Sequence, residues 1–303
     1  MDKRVIKLII NPNSGKGKAR EITEKIKERF EKEGFCVDLR LTEKRGDAEQ
    51  WAFDDDGEEL VSCVGGDGTL HETVNGLMKR ERKVPVGYIP MGSVNDFARS
   101  AKIPTKWKKA VDNIINGEDT FIDVGKFNNE YFTYVAAAGI FTKMAYSTSQ
   151  KLKNKFGKVA YLLLGIKDLF EYRKMHLKID VDGTIYEDDF LFVGISNTKS
   201  IGSIVRFKGS FVQLNDGNLE VMLIKYSRNL FELAKGVHYY SRKRWNTDIF
   251  KFIHGKSIKV YDRNNVVWTL DGESSDASGD IGRITEIGII EKGLKIRTKN
   301  GNI

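Results

Sequence analysis

The chain has only two cysteines, four prolines and four histidines among 303 residues. Cys36 and Cys63 both fall in apolar, strand-like runs. They are read as reduced core residues rather than a disulfide framework, which suits a cytosolic protein. Few prolines, 40% hydrophobic and 30% charged residues describe a globular chain without low-complexity linkers. The histidines show no metal-ligand spacing. No charged-then-apolar signal segment opens the chain. Apolar runs such as Tyr161 to Ile166 fall far short of the about 20 residues that a membrane span needs. The phosphate loop G-x-x-x-x-G-K-[ST] is missing, and Ser14-Gly15-Lys16-Gly17-Lys18 is only superficially like it. The dinucleotide fingerprint G-x-G-x-x-G also fails, with Arg20 in its last position. No RNA-stacking motif or recognition helix is found, so no nucleic-acid partner is expected.

Positive charge is plentiful. A formal net charge of +8 and a pI near 9.2 favour anionic partners: nucleotides, acidic lipid surfaces or nucleic acid. The length points to two domains. Up to about residue 120, strand and helix patterns alternate, which implies a parallel sheet covered on both faces. Ligands of such sheets sit at the carboxyl ends of the strands. After Asp119 the texture becomes largely antiparallel, with turns at Asn128-Asn129 and Asp182-Gly183 and helical stretches near 149–173 and 229–243. The expected division is an α/β domain over 1–124 and a β-rich domain over 125–293.

The most informative run is Val61 to Glu72, an apolar strand that ends in a glycine-rich turn and opens into a helix. Gly65, Gly66 and Gly68 let the backbone bend sharply and lie close to a ligand. Thr69 and Glu72 have capping-box spacing, so the helix is expected to begin there. Free N–H groups at a helix start are a seat for phosphate. Asp67 adds a carboxylate, tolerable beside phosphate mainly with a cation such as Mg2+ between them. A plain strand–helix turn is the competing reading. Two further strand–helix loops fall at the same sheet edge, Asn11-Pro12-Asn13-Ser14-Gly15 and Pro90 to Phe97 with Asn95 and Asp96. Each could be an ordinary connection, with Asp96 capping its helix, but a shared ligand explains all three.

Asp123 lies in the apolar pattern Phe121-Ile122-Asp123-Val124 and needs partners if buried. Either a Lys or Arg, or a metal and hydrogen-bond network with Asp67 and Asp96, meets that need. Glu273 follows the turn residues Asp271 and Gly272 and could be a turn residue itself. His71 reads as a helix-surface residue.

Val64 to Glu72, taken with Pro90 to Arg99, resembles the bacterial diacylglycerol kinase and lipid kinase family. Asn11 to Gly15, Thr42 to Ala48, Ile122 to Gly125, Leu152 to Tyr161 and Leu270 to Glu273 fit in the same order. The Gly-Gly-Asp-Gly-Thr core alone is shared with NAD and sphingosine kinases, whereas the full set is more specific. The resemblance implies an α/β nucleotide domain, a C-terminal β-sandwich, an active-site cleft between them, and a last segment, about 294–303, that returns to the first domain. It assigns ATP to Asn11, Pro12, Asn13, Ser14, Gly15, Thr42, Asn95 and the run Gly66, Asp67, Gly68, Thr69, Leu70, His71, Glu72 and Thr73. Asp67, Asp96 and Asp123 match the carboxylates that organise catalytic Mg2+, and Glu273 matches the general base. Leu214 to Gly217 resembles a loop holding a structural Mg2+ through Asp216 and carbonyls at Gln213 and Asn218. Here Asn215-Asp216 replaces the usual paired aspartates, and Ser210 stands near the place of a preceding proline.

The implied reaction is ATP-dependent phosphorylation of diacylglycerol to phosphatidic acid. Phosphatidylglycerol, a sphingoid base or NAD are other acceptors, and a non-catalytic nucleotide- or RNA-binding protein is the rival of a different class. A lipid acceptor implies a cytoplasmic protein that meets the inner face of an anionic membrane, and a homodimer is allowed. Lys151, Lys153, Lys155 and Lys158, and Arg242, Lys243, Arg244 and Trp245, are candidate membrane-facing clusters, although solvated charged faces are the commoner explanation.

Overall fold

The computed structural model describes residues 4–139, 174–198, 200–201, 205–206, 213–227, 247–262, 265–275 and 284–299. The two basic clusters, the helices expected near 149–173 and 229–243, and Ser210 lie outside the described residues.

The first part alternates β1 (Arg4–Ile10), α1 (Lys18–Glu31), β2 (Phe35–Leu41), α2 (Asp47–Phe53), β3 (Leu60–Gly65), α3 (Asp67–Lys79), β4 (Val86–Pro90), α4 (Asp96–Ser100) and α5 (Trp107–Ile115). Strands β2, β1, β3 and β4 lie side by side in that order and run parallel. Helices cover both faces, which is why β1 and β3 are largely apolar, with Lys7 and Ser62 as their buried polar exceptions. Ile6, Leu8 and Ile10 pack with Ile26, Phe30 and Ile114 on one face. Ile9, Val61 and Cys63 pack with Ala48, Val74 and Leu77 on the other.

The second part is β5 (Glu118–Phe127), β6 (Glu130–Phe132), β7 (Val135–Gly139), β8 (Met175–Val181), β9 (Thr184–Ser196), the short pair β10 (Ser200–Ile201) and β11 (Val205–Arg206), β12 (Leu219–Lys225), β13 (Phe250–Gly255), β14 (Ser257–Asp262), β15 (Trp268–Leu270), β16 (Glu273–Ser274) and β17 (Ile284–Thr298). Its ladders are antiparallel, including β7 on β9, β8 on β9, β12 on β9 and β15 on β7. The chain is therefore an N-terminal α/β unit followed by an antiparallel β-sandwich region. Its core gathers Phe127, Phe132, Phe190 and Trp268.

The fifteen-residue β17 joins the two parts. Its first third pairs with β14, residues 287–290 and 294–298 pair with β5, and Ile296 meets Val86 of β4 in parallel. Sequence patterning shows a strand only at Leu294 to Thr298. Gly288, Glu291, Lys292 and Gly293 interrupt the apolar pattern earlier, where the register also slips between Ile290 and Leu294.

Two expectations need correction. Cys36 is exposed, whereas Cys63 is buried. β2 is the edge strand, so its alternate side chains turn to water while Phe35 points inward. Helix α3 starts at Asp67, not at a Thr69 cap, and no side chain caps it. Gly66 stands at the N-cap in an extended conformation. Thr69 lies inside the first turn and accepts a hydrogen bond from Asn11 Nδ2 at 3.3 Å.

A buried charge network anchors α2 to β1 and α3. Lys7 is fully buried, donates to the carbonyls of Trp51 (2.9 Å) and Asp54 (2.6 Å), and lies 2.8 Å from Asp56 and 3.6 Å from Glu58. Arg80 donates to Glu58 Oε1 at 2.6 Å and to the Ala52 carbonyl at 3.2 Å. Glu58 is thus the buried anion facing two buried cations. Removing one partner of such a set typically costs about 3–5 kcal/mol, because the remaining charge stays desolvated. Glu58→Gln is expected to lower unfolding stability by about 3 kcal/mol on that scale, read as a shift of the urea midpoint. A midpoint unchanged within error would show that the network carries no net stability.

Candidate active site

The loops that follow the parallel strands interlock. The Asn11 N–H donates to Val64 O at 2.9 Å, Thr42 N to Ile10 O at 2.9 Å and Met91 N to Gly65 O at 2.7 Å. The fourth loop is shaped by Asn95, whose Oδ1 accepts the Gly92 N–H at 2.9 Å and whose Nδ2 donates back to Gly92 O at 2.8 Å. Asn95 adopts φ 53°, the left-handed conformation that asparagine tolerates. Gly92 passes so near Gly66 that a Cβ on Gly92 would lie 2.7 Å from Gly66 Cα. The Asn11–Gly15, Thr42, Gly66–Thr69 and Asn95 segments therefore form one sheet-edge surface. Not every residue of the run faces it. Leu70 is in the apolar core and Thr73 is fully buried, its hydroxyl donating to Thr69 O at 2.8 Å. Glu72 turns to the start of α2 and accepts from the backbone at Gly46 and Ala48.

Asp67 and Asp96 meet at this surface. Asp67 Oδ2 accepts the Asp96 N–H at 3.3 Å, and Phe97 contributes a second backbone donor. Asp67 Oδ1 is buried and has no hydrogen-bond partner. Burial first, and then the neighbouring Asp96 charge, push the Asp67 carboxyl up to about 6.

Glu273 arrives from the other part of the molecule. Leu270 pairs with Glu273 across the β15–β16 turn, in which Asp271 and Gly272 have φ 51° and 89°. Its carboxylate rests against the first turn of α3. A Cβ on Gly68 would stand 2.6 Å from Glu273 Oε1, so any larger residue there would have to push that carboxylate aside. Arg45 Nη2 donates to the Ser274 carbonyl at 3.2 Å and ties the Thr42–Ala48 segment to the same turn.

Asp123 is buried, and both its oxygens are taken by backbone. Oδ2 accepts Gly217 N and Oδ1 accepts Lys292 N, each at 2.7 Å. Its own N–H donates to Leu214 O at 2.7 Å. Neither a Lys or Arg side chain nor Asp67 or Asp96 is among these bonds. Asp123 instead anchors the Leu214–Gly217 turn and the irregular middle of β17. In that turn Gln213 and Asp216 are exposed, and Asp216 Oδ1 accepts Asn218 N at 3.0 Å. Beyond it, Glu220 is fully buried with neither carboxylate oxygen hydrogen-bonded. Burial and the Asp216 charge push the Glu220 carboxyl to about 9.

Sequence patterning passed over Asp271 as an ordinary turn residue. Its buried carboxylate accepts Thr133 N (2.8 Å), Thr133 Oγ1 (3.0 Å), Tyr134 N (2.9 Å) and Val135 N (3.1 Å), and His71 Nδ1 stands 3.2 Å away. The available signal was an aspartate directly after the short strand Trp268–Leu270, whose tryptophan and leucine mark it as core, where a side chain has no water to face. His71 is correspondingly not a surface residue. Its side chain is 12% exposed.

Residues 5–127 match the family described as Diacylglycerol kinase catalytic domain, and residues 135–285 match YegS C-terminal NAD kinase beta sandwich-like domain. The chain belongs to the diacylglycerol kinase family. It is 36% identical over 231 residues to a diacylglycerol kinase of Staphylococcus carnosus, covering 75% of this chain and 74% of that one. It is 34% identical over 271 residues to a diacylglycerol kinase of Staphylococcus aureus, covering 88% and 85%. Its fold is similar to that of a diacylglycerol kinase from Bacillus anthracis, with TM-score 0.77, 24% identity and full coverage of both chains. A yeast NADH kinase shares the fold more distantly, with TM-score 0.56, 13% identity and coverage of 99% and 84%. Membership of this family makes the protein a kinase that transfers phosphate to an alcohol, with ATP as co-substrate. Among the described residues, no group of three or more His, Cys, Asp and Glu side chains is placed to hold a metal ion by itself.

Proposed function

We propose that this kinase phosphorylates the free hydroxyl of diacylglycerol, with ATP seated on the sheet-edge loops and Glu273 as the general base. The observation that carries the reading is the contact between Glu273 and Gly68: a carboxylate from the sandwich side stands on the first turn of the helix whose N-terminus faces the loops. Phosphoryl transfer depends on positioning and charge neutralisation more than on covalent chemistry by the protein. Backbone N–H groups at Gly66 to Thr69 receive phosphate oxygens, helped by the positive end of α3. Glu273 accepts the hydroxyl proton as the alcohol oxygen attacks.

The site fits Mg2+ on one structural ground, the orphaned, buried Oδ1 of Asp67. Asp67 and Asp96 would hold the ion together with substrate phosphates, since Mg2+ is commonly bound by one or two carboxylates plus phosphate oxygens. Bound there, it would neutralise charge on the transferring group. Asp123 acts by holding the Gly217 and Lys292 backbones. A second ion at the 213–218 turn would be held by the Asp216 carboxylate with the carbonyls of Gln213 and Asn218; Glu220, its carboxyl raised to about 9, would enter only by losing its proton.

The acceptor's acyl chains place the reaction at a membrane surface. Among the described residues, no helix is long and apolar enough to cross a membrane. The net charge of +8 supports attraction to an anionic one. The deciding experiment is mass spectrometry of products formed from a total lipid extract with ATP and Mg2+, beside separate reactions with diacylglycerol, phosphatidylglycerol, a sphingoid base and NAD. Phosphatidic acid is the expected main product. Faster phosphorylation of any other acceptor would replace the substrate assignment.

A further inference from the structure

We propose that His71 is a positioning residue: its imidazole ties helix α3 to the turn carrying Glu273, through Asp271, and so sets where the base stands relative to the nucleotide. The proposal rests on the functional reading above and adds a residue to it.

His71 lies one helical turn after Asp67, and its Nδ1 is 3.2 Å from Asp271 Oδ2. The pair is well shielded, with side-chain exposures of 12% and 1%. The other bonds to the Asp271 carboxylate come from Thr133 and Tyr134, which link β6 to β7, and from Val135, the first residue of β7. His71 is the contact that reaches the same carboxylate from the phosphate-facing helix. It is braced in turn. Asn75 Nδ2 donates to His71 O at 3.0 Å and to Tyr131 O at 2.9 Å, and lies 3.4 Å from His71 Nε2. Asn75 Oδ1 accepts Tyr131 N at 2.9 Å. The charged groups facing the imidazole are Asp271, Glu130 and Glu273. Burial disfavours its charged form, but the bond and charge of Asp271, with those two glutamates, outweigh burial and hold its pKa above the ordinary value.

The turn needs such a tie. Asp271 and Gly272 both sit at positive φ, and β16 is only two residues long, so little local structure orients Glu273. His71 and Gly68 contact Asp271 and Glu273 respectively from one helix face, three residues apart.

The test compares H71A with H71N, whose side-chain N–H can take the place of Nδ1–H. H71A is expected to lower kcat at least tenfold while KM for ATP stays within twofold, and H71N to return within threefold of wild type. Hydrogen exchange on the ligand-free proteins is expected to rise at least tenfold at 271–275 in H71A, with 67–70 unchanged. Unchanged kcat, equal impairment of both variants, or lost activity without faster exchange at 271–275 would overturn the proposal. H71Q is read in the same way if H71A does not fold. A wild-type protein that phosphorylates no lipid refutes the functional reading, while the exchange comparison still decides the tie.

Discussion

Glu273→Gln is expected to lower kcat by about 10²–10⁴, the usual contribution of a positioned proton acceptor, with KM for ATP nearly unchanged. The amide has almost the size of the carboxylate, so the fit over Gly68 survives while proton acceptance does not. ATP with Mg2+ should still raise the thermal midpoint of the variant as much as that of the wild type, because the phosphate-facing loops come from the α/β unit. Gly68→Ala probes the same geometry from the opposite side. Its Cβ would fall 2.6 Å from Glu273 Oε1 and must displace that carboxylate. It should therefore cost turnover even though alanine is the better helix former by about 1 kcal/mol. Wild-type-like turnover in Glu273→Gln would remove Glu273 as the base. Wild-type-like turnover in Gly68→Ala would show that the contact is not used.

Asp67→Asn should abolish most activity while making the ligand-free protein more stable at neutral pH. The Asp67 carboxyl is raised to about 6 from its ordinary 3.8, chiefly by burial and then by Asp96. A raised folded-state value means that its contribution to stability is fully present below about pH 4 and is lost as pH rises through about 6. Above that the ionised group opposes folding by up to about 3 kcal/mol, since one pKa unit corresponds to about 1.4 kcal/mol. The partial exposure of the residue and the buried oxygen that Asn still carries reduce the gain, so about 1 kcal/mol is expected on the same scale. For a chain of this size that is a rise of about 2–4 °C in Tm at pH 8, and little change at pH 4. Activity should fall at least about 100-fold, the order seen when one preorganised electrostatic group is removed. Melting curves at the two pH values, with and without ATP and Mg2+, check the stability half. Equal destabilisation at both would show that the Asp67 carboxylate is a structural group and not a strained binding group.

The α/β unit was legible because its signals are local. Apolar runs bounded by glycine, asparagine and proline marked β1, β3 and β4, and apolar residues at helical spacing marked α1. Strand β17 was half invisible, because its pairing with β5, β14 and β4 stabilises a segment that local propensity does not favour. The start of α3 was misplaced by a few residues. Thr69 and Glu72 have capping spacing, but their side chains are taken by Asn11 and by the start of α2, contacts far away in sequence. Asp271 and His71 were misread for the same reason, being two hundred residues apart and ordinary when taken singly.

By itself the sequence determined the alternating strand–helix unit, the glycine turn that opens into a helix, and the acidic residues to be placed, because these depend on backbone freedom, short-range periodicity and residue type. Only the tertiary structure decided which of those acids share a surface. It set Glu273 on Gly68, Asp96 against Asp67, and gave Asp123 to the Gly217 and Lys292 backbones. The physical reason is that a carboxylate's role follows from its burial and its donors, and those are supplied by strands and turns that the chain brings back from far along its length.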